Sequence, residues 1–384
     1  MDDPFDLPPD VLRRVPLFAE LQKVLGWSGG PVNWDLARQV AVSMAAGEGT
    51  MVRVGGADHE AAEQDVRLAE LWLTETTGLV LPARPSRVRA ATPADWAEHA
   101  PEVFGELMEP IAGKASRALS DQLGAATGGE QAMLAQALGQ VAPMFMGIQA
   151  GTVLGALGRE ITGSHDVALP VAGDDILLVL ERIDAVATEY QLDKRSVRLW
   201  SALRAAAHRL TIENFSLVRT HFFALFHNYV SSLDIDLASG MERLQSMDFS
   251  DPSRLRDALG EENLFSPQSS PEAEAAATRI GRFLSVVQAY IDAAVAAAGA
   301  RTGEGSRVAE AFRRRAAEGG QGMRQLQAFL GLSEMPAGRQ AATFVRLVLG
   351  HGGWELLARA LDEPDAFPIE GELTDPDAWI RRMS

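Results

Sequence analysis

A mainly α-helical protein with a small β-sheet is what this sequence predicts, and three observations predict it. Apolar residues recur at helical spacing through most of the chain, and only two short stretches have strand character. Two helix starts are written out, at Thr92-Pro93-Ala94-Asp95 and Ser270-Pro271-Glu272: a capping hydroxyl, proline at the first helical position and a carboxylate in the first turn. In chain order, Trp34-Asp35-Leu36-Ala37-Arg38-Gln39-Val40-Ala41 opens an amphipathic segment that stops near Gly47, and Asp58 to Thr76 repeats Ala61, Val66, Ala69, Leu71 and Trp72 on a helical period. Arg87-Val88-Arg89 reads as a short strand. Ile176-Leu177-Leu178-Val179-Leu180, a continuous apolar run after Gly173-Asp174-Asp175, reads as a buried one. Asp193 is placed to cap a helix reaching His208, with Leu199, Leu203 and Ala206 on its apolar stripe. A further helix runs from about Phe215 to Ser232, turning Val218, Phe222, Leu225, Phe226 and Tyr229 to a core. The alanine-rich run from Ser270 to Ala298 is a long helix, since alanine loses least on helix formation.

The breaks with loop composition are Gly55-Gly56, Gly128-Gly129, Ser266 to Pro271, Gly299 to Ser306 and Gly319-Gly320, and none is a long linker. One body or two closely packed lobes is expected, with no repeat of fixed period. The chain has 384 residues, 47% of them hydrophobic and 23% charged, which rules out wholesale disorder. Its 35 Lys and Arg against 52 Asp and Glu leave a net charge of −17, which repels phosphate and argues against nucleic acid or anionic membrane as a partner. There is no cysteine, so a disulfide scaffold, a thiol nucleophile and thiolate metal sites are excluded. That absence fits a reducing cytoplasm, and the acidic start Met1-Asp2-Asp3-Pro4-Phe5-Asp6 is unlike a signal peptide. Gln131 to Gly158 carries no charge, and Gly147, Gly151 and Gly155 recur every four residues, a spacing that suits close helix packing in a bilayer or inside a protein. Gln131, Gln136, Gln140 and Gln149 with Pro143 are costly in lipid, so the packed-helix reading leads.

Chemistry has few places to reside. The histidines are His59, His99, His165, His208, His221, His227 and His351. His221 and His227 are six residues apart, about 120° around a helix, and do not share a metal from one helix. Ser164-His165-Asp166 has the residue types of a nucleophilic triad, but sequence neighbours seldom meet in triad geometry. Asp174-Asp175 reads as a turn before the strand. Asp234-Ile235-Asp236 lacks the glycine and distal glutamate of a calcium loop. Arg313-Arg314-Arg315, against so acidic a background, reads as a solvated or salt-bridged helix face.

Several segments resemble, in order and spacing, the zincin-like metallopeptidase family of actinobacteria and relatives. They are Pro31-Val32-Asn33-Trp34-Asp35-Leu36-Ala37, Gly151-Thr152-Val153-Leu154-Gly155 with Asp166 and Pro170, Leu199-Trp200-Ser201-Ala202-Leu203, Leu217-Val218-Arg219-Thr220-His221, Gly331-Leu332 through Phe344-Val345, and Asp375-Pro376-Asp377-Ala378-Trp379-Ile380. The resemblance implies a zincin-like fold with three regions: an N-terminal helical region 1–130, a core 131–300 carrying the metal-site helix, and a C-terminal helical region 301–384. It also implies zinc, held by His-Glu-x-x-His, where two imidazoles on one helix face bind the metal and the glutamate activates its water.

Here the matching positions read Arg204-Ala205-Ala206-Ala207-His208. Arg204 stands for the first histidine, Ala205 for the general base, and His208 is retained; Gln288 stands for a third ligand. A guanidinium has no free lone pair and an alanine moves no proton, so the expectation is a family member without zinc and without peptidase activity. Arg204 is expected to replace the cation and to pair with Glu213 or Asp292; the alternative is a guanidinium in solvent. A protein or peptide partner in the old cleft, touched by Arg204, His208, His221, Gln288, Tyr290 and Asp292, is one functional expectation. An active hydrolase around His208, His221 and Asp292 is a second, and an assembly protein with a filled core there is a third.

Overall fold

Helix α1 (Trp34–Ala46) begins where the Asn33 side chain accepts a hydrogen bond from the Leu36 amide at 3.0 Å, and stops at Gly47, whose φ of 60° few other residues adopt. The computed structural model describes residues 29–47, 53–124, 129–167, 169–171, 175–235, 267–268, 270–332 and 338–384. The other helices are α2 (Gly56–Thr77), α3 (Pro93–Gly124), α4 (Gly129–Gly158), α5 (Leu180–Glu189), α6 (Lys194–Asn214), α7 (Ser216–Ser232), α8 (Pro271–Gly299), α9 (Gly305–Glu318), α10 (Gln321–Leu330), α11 (Arg339–Asp362) and α12 (Pro376–Met383). The expected caps form: Thr92 and Asp95 exchange hydrogen bonds at the start of α3, Asp193 accepts from Ser196 at α6, and Ser270 accepts from Ala273 at α8.

Both expected strands exist and they pair. Strand β1 (Arg87–Ala91) runs parallel to β2 (Asp175–Val179), with Arg87 opposite Asp175 and Ala91 opposite Val179. Asp175 locks that register by pairing with Arg87 at 3.0 Å and Arg89 at 2.7 Å. Leu180, expected in the strand, is instead the first residue of α5. Inside the stretch expected as loop from Ser266 to Pro271, Pro267–Gln268 forms β4, antiparallel to β3 (Asp234–Ile235). Expectations on Met1 to Asp6, Gly128, Gly173, Asp174, Asp236 and Ser266 lie outside the described residues.

One cluster of buried side chains reaches from Val32 to Ile380. Its axis is α6, where Val197, Leu199 to Leu203 and Ala205 to Thr211 are buried on every side, the mark of a central helix. Around it lie α2, α5, α8 and the small sheet. The uncharged stretch finds its partner inside the fold: α4 lies along α1 with backbone nearly touching backbone. A methyl at Gly147 would come 2.6 Å from the Asn33 carbonyl oxygen, and one at Gly151 would come 2.5 Å from that of Ala37. Gly155 meets Met44 and Ala41 in the same way. Among the described residues only α8 is long and apolar enough to cross a membrane, and most of its apolar window is buried in the core.

Gly151→Ala should therefore destabilise the fold by about 1–3 kcal/mol, because the methyl has no room against Ala37 and Val40. Gly350→Ala, on an exposed turn of α11 with nothing near the new methyl, should gain about 0.4–1 kcal/mol. Chemical denaturation of the two variants checks both signs.

Candidate functional site

Trp200, Arg204 and His208 stand one turn apart on α6 and share a face. The Trp200 ring lies directly over Gly299 of α8, where any side chain would collide with it. One turn on, the Arg204 Nε donates to Asp166 Oδ1 and its Nη1 to Asp292 Oδ1 on α8, each at 3.3 Å. The guanidinium also lies 5.6 Å from the ring centre of Phe312 on α9. The side chains of Arg204 and Asp166 are only 19% and 15% exposed, whereas Asp292, at 54%, forms the wet rim. Burial works against the charge on Arg204, but Asp166 and Asp292 outweigh it and its pKa is raised.

Both carboxylates are themselves held. The Thr162 amide and hydroxyl donate to Asp166 Oδ2 at 2.5 and 2.7 Å, leaving Oδ1 for Arg204. The Thr162 carbonyl accepts from the Val179 amide at 2.9 Å, and Ser201 Oγ lies 3.1 Å from its hydroxyl, so this loop is tied to β2 and to α6. On the other side Gln288 Nε2 donates to Asp292 Oδ1 at 2.7 Å. Of the two carboxylates expected beside Arg204, Asp292 is there, while Glu213 is exposed and lines a different recess. The reading of Arg204 as a solvent-facing flank does not hold. Asp166 is the partner that sequence reasoning did not assign.

His208 is buried with its ring centre 5.1 Å from that of His165. Burial, the His165 ring and the Arg204 charge depress its pKa to about 3, against a hydrogen bond to Leu169 that raises it; Nδ1 has no partner. Burial, then the charge of Arg209, takes His165 down to about 4. Ser164 Oγ does lie 2.9 Å from His165 Nδ1, but Asp166 turns away to Thr162 and Arg204, so no triad assembles.

The remaining expected residues do not converge on Arg204. His221 packs its ring on Phe283 and Phe367, and Phe283 is nine residues, about 13 Å along α8, from Asp292. Tyr290 is fully buried against Phe215 and Trp354, about 200° around the helix from Gln288. The arginine run behaves as a paired face: Arg313 and Arg314 engage Glu310, and Arg315 bonds the Glu160 carbonyl.

Zinc of the kind the resemblance implies takes neutral imidazole or carboxylate donors around a tetrahedron. The donor set here does not fit it. Arg204 offers no lone pair, Asp166 already engages both oxygens, and Asp292 Oδ1 is shared by Arg204 and Gln288. Among the described residues no three His, Asp or Glu side chains are placed to hold a metal together.

Since His165 and His208 are neutral when folded, the unfolded chain binds more protons below about pH 6.5. Stability should be flat above pH 7 and fall as pH drops toward 4, by up to about 1.4 kcal/mol per pH unit for each imidazole. Urea unfolding between pH 7.5 and 5 reads this slope, and His208→Gln should remove its share.

A family model described as zincin-like metallopeptidase matches residues 32–380. A solved structure, a "putative hydrolase with a novel fold" from Chloroflexus aurantiacus, is 21% identical and superposes with a TM-score of 0.66. The match covers 92% of this chain and 98% of that one, and at this identity it speaks to the fold. Comparison with curated proteins finds no match. With nearly its whole length matched, the chain belongs to the zincin-like metallopeptidase family.

Proposed function

We propose that this chain is a non-catalytic member of its family that works without zinc and acts by binding a protein or peptide. The observation that carries the reading is the pair Arg204 and Ala205, at the positions the resemblance gives to a zinc ligand and to the general base. Arg204 is a locked cation between Asp166 and Asp292, and Ala205 is a buried methyl. Neither side chain activates water.

Arg204, His208 and Tyr290 are too buried to line an open cleft, so a partner-binding role finds its support elsewhere. Val80 and Leu81 expose 71% and 50% of their surface beside a recess of about 790 Å³ that also involves Arg84 and Asn214. Asn214 bonds both the amide and the carbonyl of Val80 at 2.9 Å and holds those side chains outward.

A second reading, a hydrolase centred on His208, draws on the partnerless Nδ1 of that residue beside His165. A panel of peptide and ester substrates, with and without added zinc, separates the two. The expected result is no turnover, whereas turnover lost in His208→Ala would overturn the non-catalytic reading and put the hydrolase first. Val80→Asp with Leu81→Asp should weaken the binding of any peptide that a peptide array identifies for the full chain, by about tenfold or more.

A further inference from the structure

We propose that Arg204 fills, as a cation tethered to the chain, the position that the resemblance gives to zinc, and that Arg204→His would by itself turn that position into a zinc site. The inference rests on the metal-free part of the preceding reading and adds what replaces the metal.

Three segments far apart in sequence meet at the guanidinium: the loop carrying Asp166, the central helix, and α8 with Asp292. Without Arg204, two carboxylates would face one another across a partly buried space, one of them only 15% exposed. At neutral pH such a pair is stabilised by a positive charge, which offsets the mutual repulsion and the desolvation of Asp166. The pair cannot be relieved by moving apart easily, since Thr162 clamps Asp166 and Gln288 bonds Asp292.

The charge count favours a divalent ion once the guanidinium is gone. Arg204 leaves its two partners with a net single negative charge, whereas Zn²⁺ would neutralise them. His208 lies one turn along the same face, with its Nδ1 unpartnered. An imidazole introduced at 204 would therefore stand at the i, i+4 spacing from His208, facing Asp166 and Asp292. Two nitrogens and two oxygens are a donor set zinc accepts in tetrahedral geometry. Ala205 remains in place, so the site would hold metal without a general base.

The test uses the full chain, as wild type and as Arg204→His, stripped with chelator and then dialysed against zinc. Elemental analysis and thermal unfolding are the readouts. In wild type, zinc content well below one per chain and a Tm unmoved by zinc or chelator are expected. In Arg204→His, about one zinc per chain is expected, with a Tm that falls on stripping and recovers with zinc. Asp166→Asn added to that variant should abolish both effects. About one zinc in stripped and reloaded wild type, or an Arg204→His chain that takes up none, would overturn the inference.

Should Arg204→His fail to fold, Arg204→Lys and Arg204→Met decide the matter. Lysine keeps the cation and should melt close to wild type, while methionine should lower the Tm by about 5 °C or more. A methionine variant as stable as wild type would overturn the proposal. Metal-free turnover by the wild-type chain would instead defeat the non-catalytic reading and leave this one standing.

Discussion

A guanidinium keeps its charge at any pH a protein meets, so a fold that buries Arg204 must bring carboxylates to it and hold them there. That requirement reaches well beyond the residue. Asp166 is available only because Thr162 organises its loop, and Thr162 in turn hangs on the amide of Val179 in the small sheet. Asp292 is available because α8 packs close to α6, close enough that Gly299 has no side chain under Trp200. The sheet, the loop and the two long helices are thus parts of one electrostatic arrangement, and each is worth little to it without the others.

Arg204 has company on the central helix. Arg198 reaches the buried Asp65 of α2 at 2.5 Å, and Arg209 bonds the Arg84 carbonyl and Ser86 in the segment before β1. The central helix thus sends three arginines to four neighbouring segments. In a chain with a large excess of acid, this draws some of the carboxylates inward as structural partners and leaves others on the surface. Buried pairs of this kind contribute little to stability over an apolar core, but a chain that loses one partner is left with an unmatched charge, which disfavours alternative packings.

Most of the helices and both strands of the parallel pair were legible because they rest on local rules. Capping residues, alanine content and apolar period act within a few residues, and Asn33, Thr92, Asp193 and Ser270 cap where such rules put them. The limits appeared where the decision is made across the chain. Leu180 is apolar enough for a strand but starts α5, and Pro267–Gln268 form a strand because Asp234–Ile235 lie alongside. The site shows the same division. Arg204 and His208 could be singled out only through the resemblance of the surrounding segments to the family, and Asp292 only as one of two candidate partners. Asp166 could be named but not assigned, because 38 residues separate it from Arg204 and no local rule relates them. Tyr290 had the right chemistry and the wrong azimuth relative to Gln288, while His221 lies at the wrong height, which only the packing of α7 on α8 decides.

The seam between α1 and α4 has a consequence for how the chain is made. Helix α1 reaches α3 through Trp34, which bonds Glu109, and Arg38, which bonds the Glu98 carbonyl, but its buried face is only Ala37, Ala41 and Ala45, and the glycines that fit that face come more than a hundred residues later. At translation rates of about 5–20 residues per second, α1 is synthesised some 5–20 s before Gly147, Gly151 and Gly155 exist. A helix of this length is marginal on its own in water. Helix α1 therefore passes the early part of its life without this seam, which closes only on the arrival of a helix whose contribution there is the absence of side chains.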